Sequence, residues 1–208
     1  MTDAALAGRT VRSARSALRV WDPLVRVFHW SLVVLFASNV LITDPEKDLH
    51  HLIGYAVVAL VAVRLVWGLI GSRHARFRDF PPSVSAALGQ LGDIAKGRRR
   101  VHLGHTPLGA LMIYNLLATM LLIGLTGWMM TTNAYWGVKW VEEMHEFFVT
   151  WAEICVAAHI AAVIWESRRT GVNLPRAMVT GVKMIEPRDL PQSGQPKSGK
   201  PTSGHASE

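Results

Sequence analysis

The apolar positions of this chain do not alternate with polar ones at every second residue, as in a half-buried strand, or recur at every third to fourth, as on a surface helix. They run together in four blocks, at about residues 24–42, 49–70, 107–130 and 141–165. Each block is close to the roughly 20 residues a helix needs to cross a hydrocarbon core about 30 Å thick. No water is available there to pair a backbone amide, so a segment of this length must pair its amides internally. The pattern predicts an all-α integral membrane protein: an antiparallel up-down four-helix transmembrane bundle.

Polar stretches divide the blocks. Thr43 to Asp48 is brief enough only for a tight antiparallel connection. In the central loop, Pro81 and Pro82 precede Ser83, a helix-capping residue. Val84, Leu88, Leu91 and Ala95 then fall on one face, which predicts a short amphipathic helix on the membrane surface. Residues 1–20 read as a basic flexible arm, residues 21–185 as the helical domain, and residues 186–208, rich in Pro, Gly, Ser and Lys, as a disordered tail. The first block follows a basic arm without a small-residue cleavage site, so it is expected to act as an uncleaved anchor.

Charge orients this arrangement. A formal net charge of +7 would suit a nucleic-acid partner, but the basic residues alternate by loop. They crowd the N-terminal arm, the central loop and the segment after the fourth block, while the two short connections hold only Lys47 and Lys139. The positive-inside rule then puts both termini and the central loop in the cytoplasm. The basic balance is a topology signal, with attraction to anionic lipid beside it and no nucleic acid implied. The single cysteine, Cys155, excludes a disulfide framework and a cysteine-ligated cluster, and no C-x-x-C-H signature for covalent haem is present.

Polar rings inside an apolar span are costly and are functional candidates for that reason. His145 and His159 are fourteen residues apart in the fourth block, about 21 Å along a helix and about 40° apart around it. They share a face near opposite membrane surfaces. His29 lies in the first turns of the first block and His50 opens the second. Up-down topology therefore sets His29 level with His159, and His50 level with His145. Two ligands per level suit the opposite axial positions of a haem iron, whereas zinc wants three or four ligands converging at one level. The adjacent His51 rivals His50. Gly54 lies one turn below His50 and leaves room for a ring edge, and Arg64 lies about 40° from the His50 face but about 140° from that of His51, which favours His50. An intramembrane Arg64 needs an anion, for which a haem propionate would serve. His102 and His105, where the third block begins, read as interfacial residues. Glu153 reads as facing a wet cavity, Tyr135, Trp136 and Trp140 as an aromatic belt, and Gly104, Gly109, Gly124 and Gly127 as sites of close helix packing.

Several motifs fall in a familiar order: Arg-Val-Phe-His-Trp at Arg26 to Trp30, Leu-His-x-x-x-Gly-Tyr at Leu49 to Tyr55, and Arg-Leu-x-Trp-Gly at Arg64 to Gly68. Leu-Gly-His-Thr-Pro-Leu-Gly follows at Leu103 to Gly109, then His145-Glu146 with His159 beyond. In these the chain, from about Val20 to Met184, resembles the bacterial cytochrome b561 family, which includes the b-type cytochrome subunits of nickel-iron hydrogenases. The resemblance implies two non-covalent haem b groups ligated by His29, His50, His145 and His159, and residence in the bacterial inner membrane. It also implies exchange of electrons between a membrane quinone and a redox partner such as a c-type cytochrome or a dehydrogenase subunit. Whether the chain is itself an enzyme is left open, with a stand-alone superoxide:quinone oxidoreductase as the alternative to the relay. A haem-free scaffold or transporter is the third possibility. Asp44, Glu46, Asp48, Glu142 and Glu143 outweigh Lys47 and Lys139 on the short connections, which suits a basic soluble partner better than superoxide.

Overall fold

The computed structural model describes residues 16–72, 75–98 and 104–185. In chain order these form strand β1 (Ser16–Arg19), helices α1 (Pro23–Leu41) and α2 (Asp48–Ile70), a 3-10 turn at Phe77–Asp79, helices α3 (Val84–Ala95), α4 (Pro107–Met130), α5 (Lys139–Thr170) and α6 (Leu174–Thr180), and strand β2 (Val182–Ile185). Four of these helices are long and apolar enough to cross a membrane, and each matches one apolar block. Only 11–22% of each span is buried inside the protein, so most of its apolar surface requires lipid as its solvent.

The helix starts follow from local chemistry. Asp22 caps α1 by accepting from the Val25 amide at 2.8 Å, with Pro23 in the first turn, where its missing N–H costs nothing. Thr106 and Pro107 repeat the device at α4, the threonine hydroxyl accepting from the Gly109 amide at 3.0 Å. Ser83 caps α3 through the Ala86 amide at 3.2 Å. The short amphipathic helix is thus present, and Val84, Leu88 and Leu91 stay exposed on it, as a helix on a bilayer surface requires. α5 has 32 residues, about 48 Å of helix, and overshoots the apolar block because Glu166, Arg168 and Arg169 continue it into polar surroundings.

Neighbours pack in the order α1, α2, α4, α5, with α3 laid against α4. A buried cluster of Phe28, Val57, Val61, Leu117, Met120 and Ala152 joins all four spans. Ala152 lies midway between His145 and His159, so this apolar plug separates the two histidine levels.

One end of the bundle carries the two short connections and is called here the hairpin end; the other, the strand end, carries a layer absent from the sequence reading. The first twenty residues were expected to form a flexible arm, but Ser16–Arg19 pairs antiparallel with Val182–Ile185, from Ser16 opposite Ile185 to Arg19 opposite Val182. Four residues of alternating burial give no periodic signal by themselves. The partner strand, with Lys183 and Ile185 turned inward, supplies the pairing. Residues 1–15 and the expected disordered tail, 186–208, lie outside the described residues.

Candidate functional site

At the hairpin end, the rings of His50 and His145 meet edge-on, with centroids 6.4 Å apart and planes at 68°. His145 directs Nδ1 at the Ile123 carbonyl at 3.1 Å. A carbonyl only accepts, so Nδ1 carries the hydrogen and Nε2 keeps a lone pair. The Thr126 oxygen, 3.0 Å away, accepts from the same N–H, because its own hydrogen is directed to the Leu122 carbonyl at 2.8 Å. His50 is held in the same sense: Thr43 donates to the Asn39 carbonyl at 2.7 Å and its oxygen stands 3.3 Å from His50 Nδ1. Both rings therefore keep Nε2 for another partner. His51 meets the His50 ring edge-on at 6.1 Å, with no ring or hydrogen-bond partner across the bundle among the described residues. Gly127 lets α4 approach: a Cβ there would stand 3.1 Å from the His145 ring. Beside Gly54 the opposite holds, since a Cβ would meet nothing within 4 Å.

At the strand end, His29 and His159 are near enough to interact electrostatically. His29 Nδ1 is buried without a hydrogen-bond partner. Arg64 is 3% exposed. It donates through Nη2 to the Ala75 carbonyl at 3.0 Å and stacks on Phe77 at 4.9 Å, while Nη1 is buried with no partner. The carboxylate that acts on it electrostatically is Asp22, which accepts from Trp67 Nε1 at 3.0 Å and from the Ser72 hydroxyl. Burial pushes the Asp22 carboxyl up, but the bonds from Ser72, Val25 and Trp67 outweigh it and hold the group below the usual carboxylate range.

Below Arg64 a run of ring contacts leads away from the bundle: Phe77 to Phe80 at 5.9 Å, Phe80 to His105 at 4.1 Å, His105 to Trp21 at 4.7 Å, and Trp21 to the Lys183 ammonium at 5.2 Å. His105 is thus one member of a packed aromatic layer. His102 lies outside the described residues. Burial lowers Lys183 to about 8, against the opposing pull of Glu166. Glu153, midway along α5, is exposed. Among the described residues no three His, Cys, Asp or Glu side chains gather as a metal-binding cluster; what the fold presents is histidines in pairs.

The sequence pattern of one known family, prokaryotic cytochrome b561, matches residues 20–181. The chain belongs to that family. No curated protein and no solved structure matches it. Prokaryotic b561 cytochromes are b-type membrane cytochromes of electron transfer, so haem b is the group the site must fit. Two observations fit it. Metal–imidazole bonds of about 2 Å, with about 1.2 Å from nitrogen to ring centre, would put the centroids of two imidazoles on one iron about 6.4 Å apart, the separation found between His50 and His145. At the other level, two buried polar atoms, His29 Nδ1 and Arg64 Nη1, have no partner within the protein. Such atoms are rare in folded chains and mark places where a further group or an ordered water is needed.

The anchoring groups of this b561 cytochrome, Thr43, Thr126 and the Ile123 carbonyl, had not been found from sequence. Thr126 is nineteen residues from His145 on another helix, and nothing local connects them. Asp22 was more accessible, since Asp-Pro ahead of an apolar run is a helix-start signal.

Proposed function

We propose that this b561 cytochrome is a two-haem relay passing electrons between the membrane quinone pool and a partner redox protein. His50 and His145 hold one haem b near the hairpin end, and His29 and His159 hold the other near the strand end. Arg64 offers Nη1 to a propionate, and the space at Gly54 admits a ring edge. Residues 21–185 form the redox unit, flanked by two polar tails. The strand end, with both termini, lies in the cytoplasm, as the basic loops indicate.

The observation that carries this reading is the 6.4 Å pairing of His50 and His145 with both Nδ1 atoms directed at oxygen acceptors. Haem iron supplies reversible one-electron chemistry. The chain's own work is ligation and control. The anchored Nδ1–H groups fix the tautomer, present Nε2, and raise its basicity. The apolar plug of Phe28, Val57, Val61, Leu117, Met120 and Ala152 keeps water out between the levels, so charges there act through a low dielectric. Histidines fourteen residues apart on α5 bridge about 21 Å of bilayer on a rigid rod, and no domain motion is required.

The test is a pyridine haemochrome assay on purified protein with independent protein quantification. Two b haems per chain are expected; one or none would overturn the proposal. Oxidation of added quinol with reduction of the chain's haem bands tests the quinone half separately.

A further inference from the structure

A groove of about 360 Å³ runs along the outer side of α1 at the strand end, lined by Pro23, Arg26, Val27, Trp30, Ser31 and Val179. Relative to His29, residues 27, 30 and 31 lie about 160°, 100° and 200° around the helix, so the groove faces lipid and not the histidine pair. It occupies the first two to three turns of the span, the depth at which headgroups meet acyl chains.

Arg26 is the groove's charged residue. Its Nη1 donates to the Val179 carbonyl at 2.6 Å, which docks the end of α6 on α1. Its Nε is buried against Gly181, and no bond to Nη2 is present among the described residues. Nη2 is thus the guanidinium donor left for an oxygen of a phosphate or carboxylate. Trp30 is 41% exposed and Val179 58%; neither the indole N–H nor the Ser31 hydroxyl bonds a described residue. The groove thus combines a cationic donor, two further donors and the apolar walls of Pro23, Val27 and Val179.

We propose that this groove binds the headgroup of an anionic phospholipid, with the phosphodiester on Nη2 of Arg26 and an acyl chain along Val27 and Trp30. A soluble anion would find the cationic donor but not gain from the apolar walls. A basic site at membrane depth is the arrangement that selects anionic lipid.

The test uses the full-length, haem-loaded protein in micelles doped with equimolar phosphatidylglycerol and phosphatidylcholine, with bound lipid counted by native mass spectrometry. The wild type is expected to retain phosphatidylglycerol by about fivefold over phosphatidylcholine. Arg26→Gln removes the cationic donor. Val179→Trp fills the groove yet leaves the backbone carbonyl that Arg26 binds. Both should fall to within about twofold of no preference, while Arg168→Gln, an exposed cation elsewhere, keeps the wild-type ratio. Haem content reports folding in every variant, and Val179→Trp decides the matter if Arg26→Gln loses haem. No preference in the wild type, or a preference surviving Val179→Trp, would overturn the proposal. So would displacement of the lipid by millimolar inorganic phosphate, which would make the groove a free-anion site.

Discussion

The two histidine levels are built differently. At the hairpin end, His50 and His145 are set by short-range hydrogen bonds to Thr43, Thr126 and the Ile123 carbonyl, and the two cations and the acids of the short connections are exposed. At the strand end, His29 Nδ1 has no such anchor, but the level rests on a layer of buried or half-buried charge: Arg64, Asp22 and Lys183. One end fixes ring geometry, and the other fixes the electrostatic field. The proposed relay would gain from the division, because affinity for a group and its potential respond to different parts of a protein. Hydrogen bonds to the ligand act on both, whereas charge beyond the ligands acts mainly on potential.

The largest expected effect tests whether the hairpin-end level is a site at all. His50→Ala or His145→Ala should reduce two haems per chain to one, and His51→Ala should leave two. A haem lost from the His51 variant alone would move the ligand and undo the contrast between levels. Next in size is pH. Burial holds Lys183 at about 8 in the folded chain against its ordinary 10.5, so between these the unfolded chain binds more protons and stability rises with pH, by at most about 3 kcal/mol. Thermal unfolding of the wild type should rise from pH 8 toward 10 and flatten in Lys183→Met; an unchanged slope in that variant would remove Lys183 from the charge layer. Asp22 works in the opposite range: its depressed carboxyl contributes stability above the usual carboxylate value, lost as pH falls through its folded one.

Smaller effects sharpen the comparison. Thr126→Val removes one of two acceptors of His145 Nδ1 and should weaken haem affinity at the hairpin-end level by about tenfold, read by titrating haem into apoprotein. An equal loss at both levels would show that the anchor is not local. Arg64→Gln should lower the potential of the strand-end haem alone by about 60 mV, a tenfold change in its one-electron equilibrium, in a spectroelectrochemical titration. A shift in the other haem instead would reverse the roles given to the two ends.

Much of this was legible along the chain because a bilayer simplifies the problem. Every span must be helical and near one length, so the blocks at 24–42, 49–70, 107–130 and 141–165 located α1, α2, α4 and α5 to within a few residues. The error falls on α5, which continues five residues past the last apolar position because helix propensity and the Glu166–Arg169 ion pair at 3.0 Å do not depend on lipid. Helical phase likewise put His50 and His51 on different faces, since one residue is about 100° of rotation, and His50 is the one whose ring meets that of His145. Contacts between segments far apart in sequence had no such signature. The pairing of Ser16–Arg19 with Val182–Ile185 joins strands too short to alternate visibly, and the Asp22, Trp67 and Ser72 cluster ties together three segments over fifty residues.

What the sequence determined by itself was the solvent, the number of spans, the depth of each histidine and the family, because these depend on composition and spacing along one helix at a time. Which atoms of those histidines are anchored, which cations lie buried, and how the two chain ends close over the bundle were decided only by tertiary structure. A hydrogen bond depends on tenths of an ångström between side chains that meet only after the helices pack.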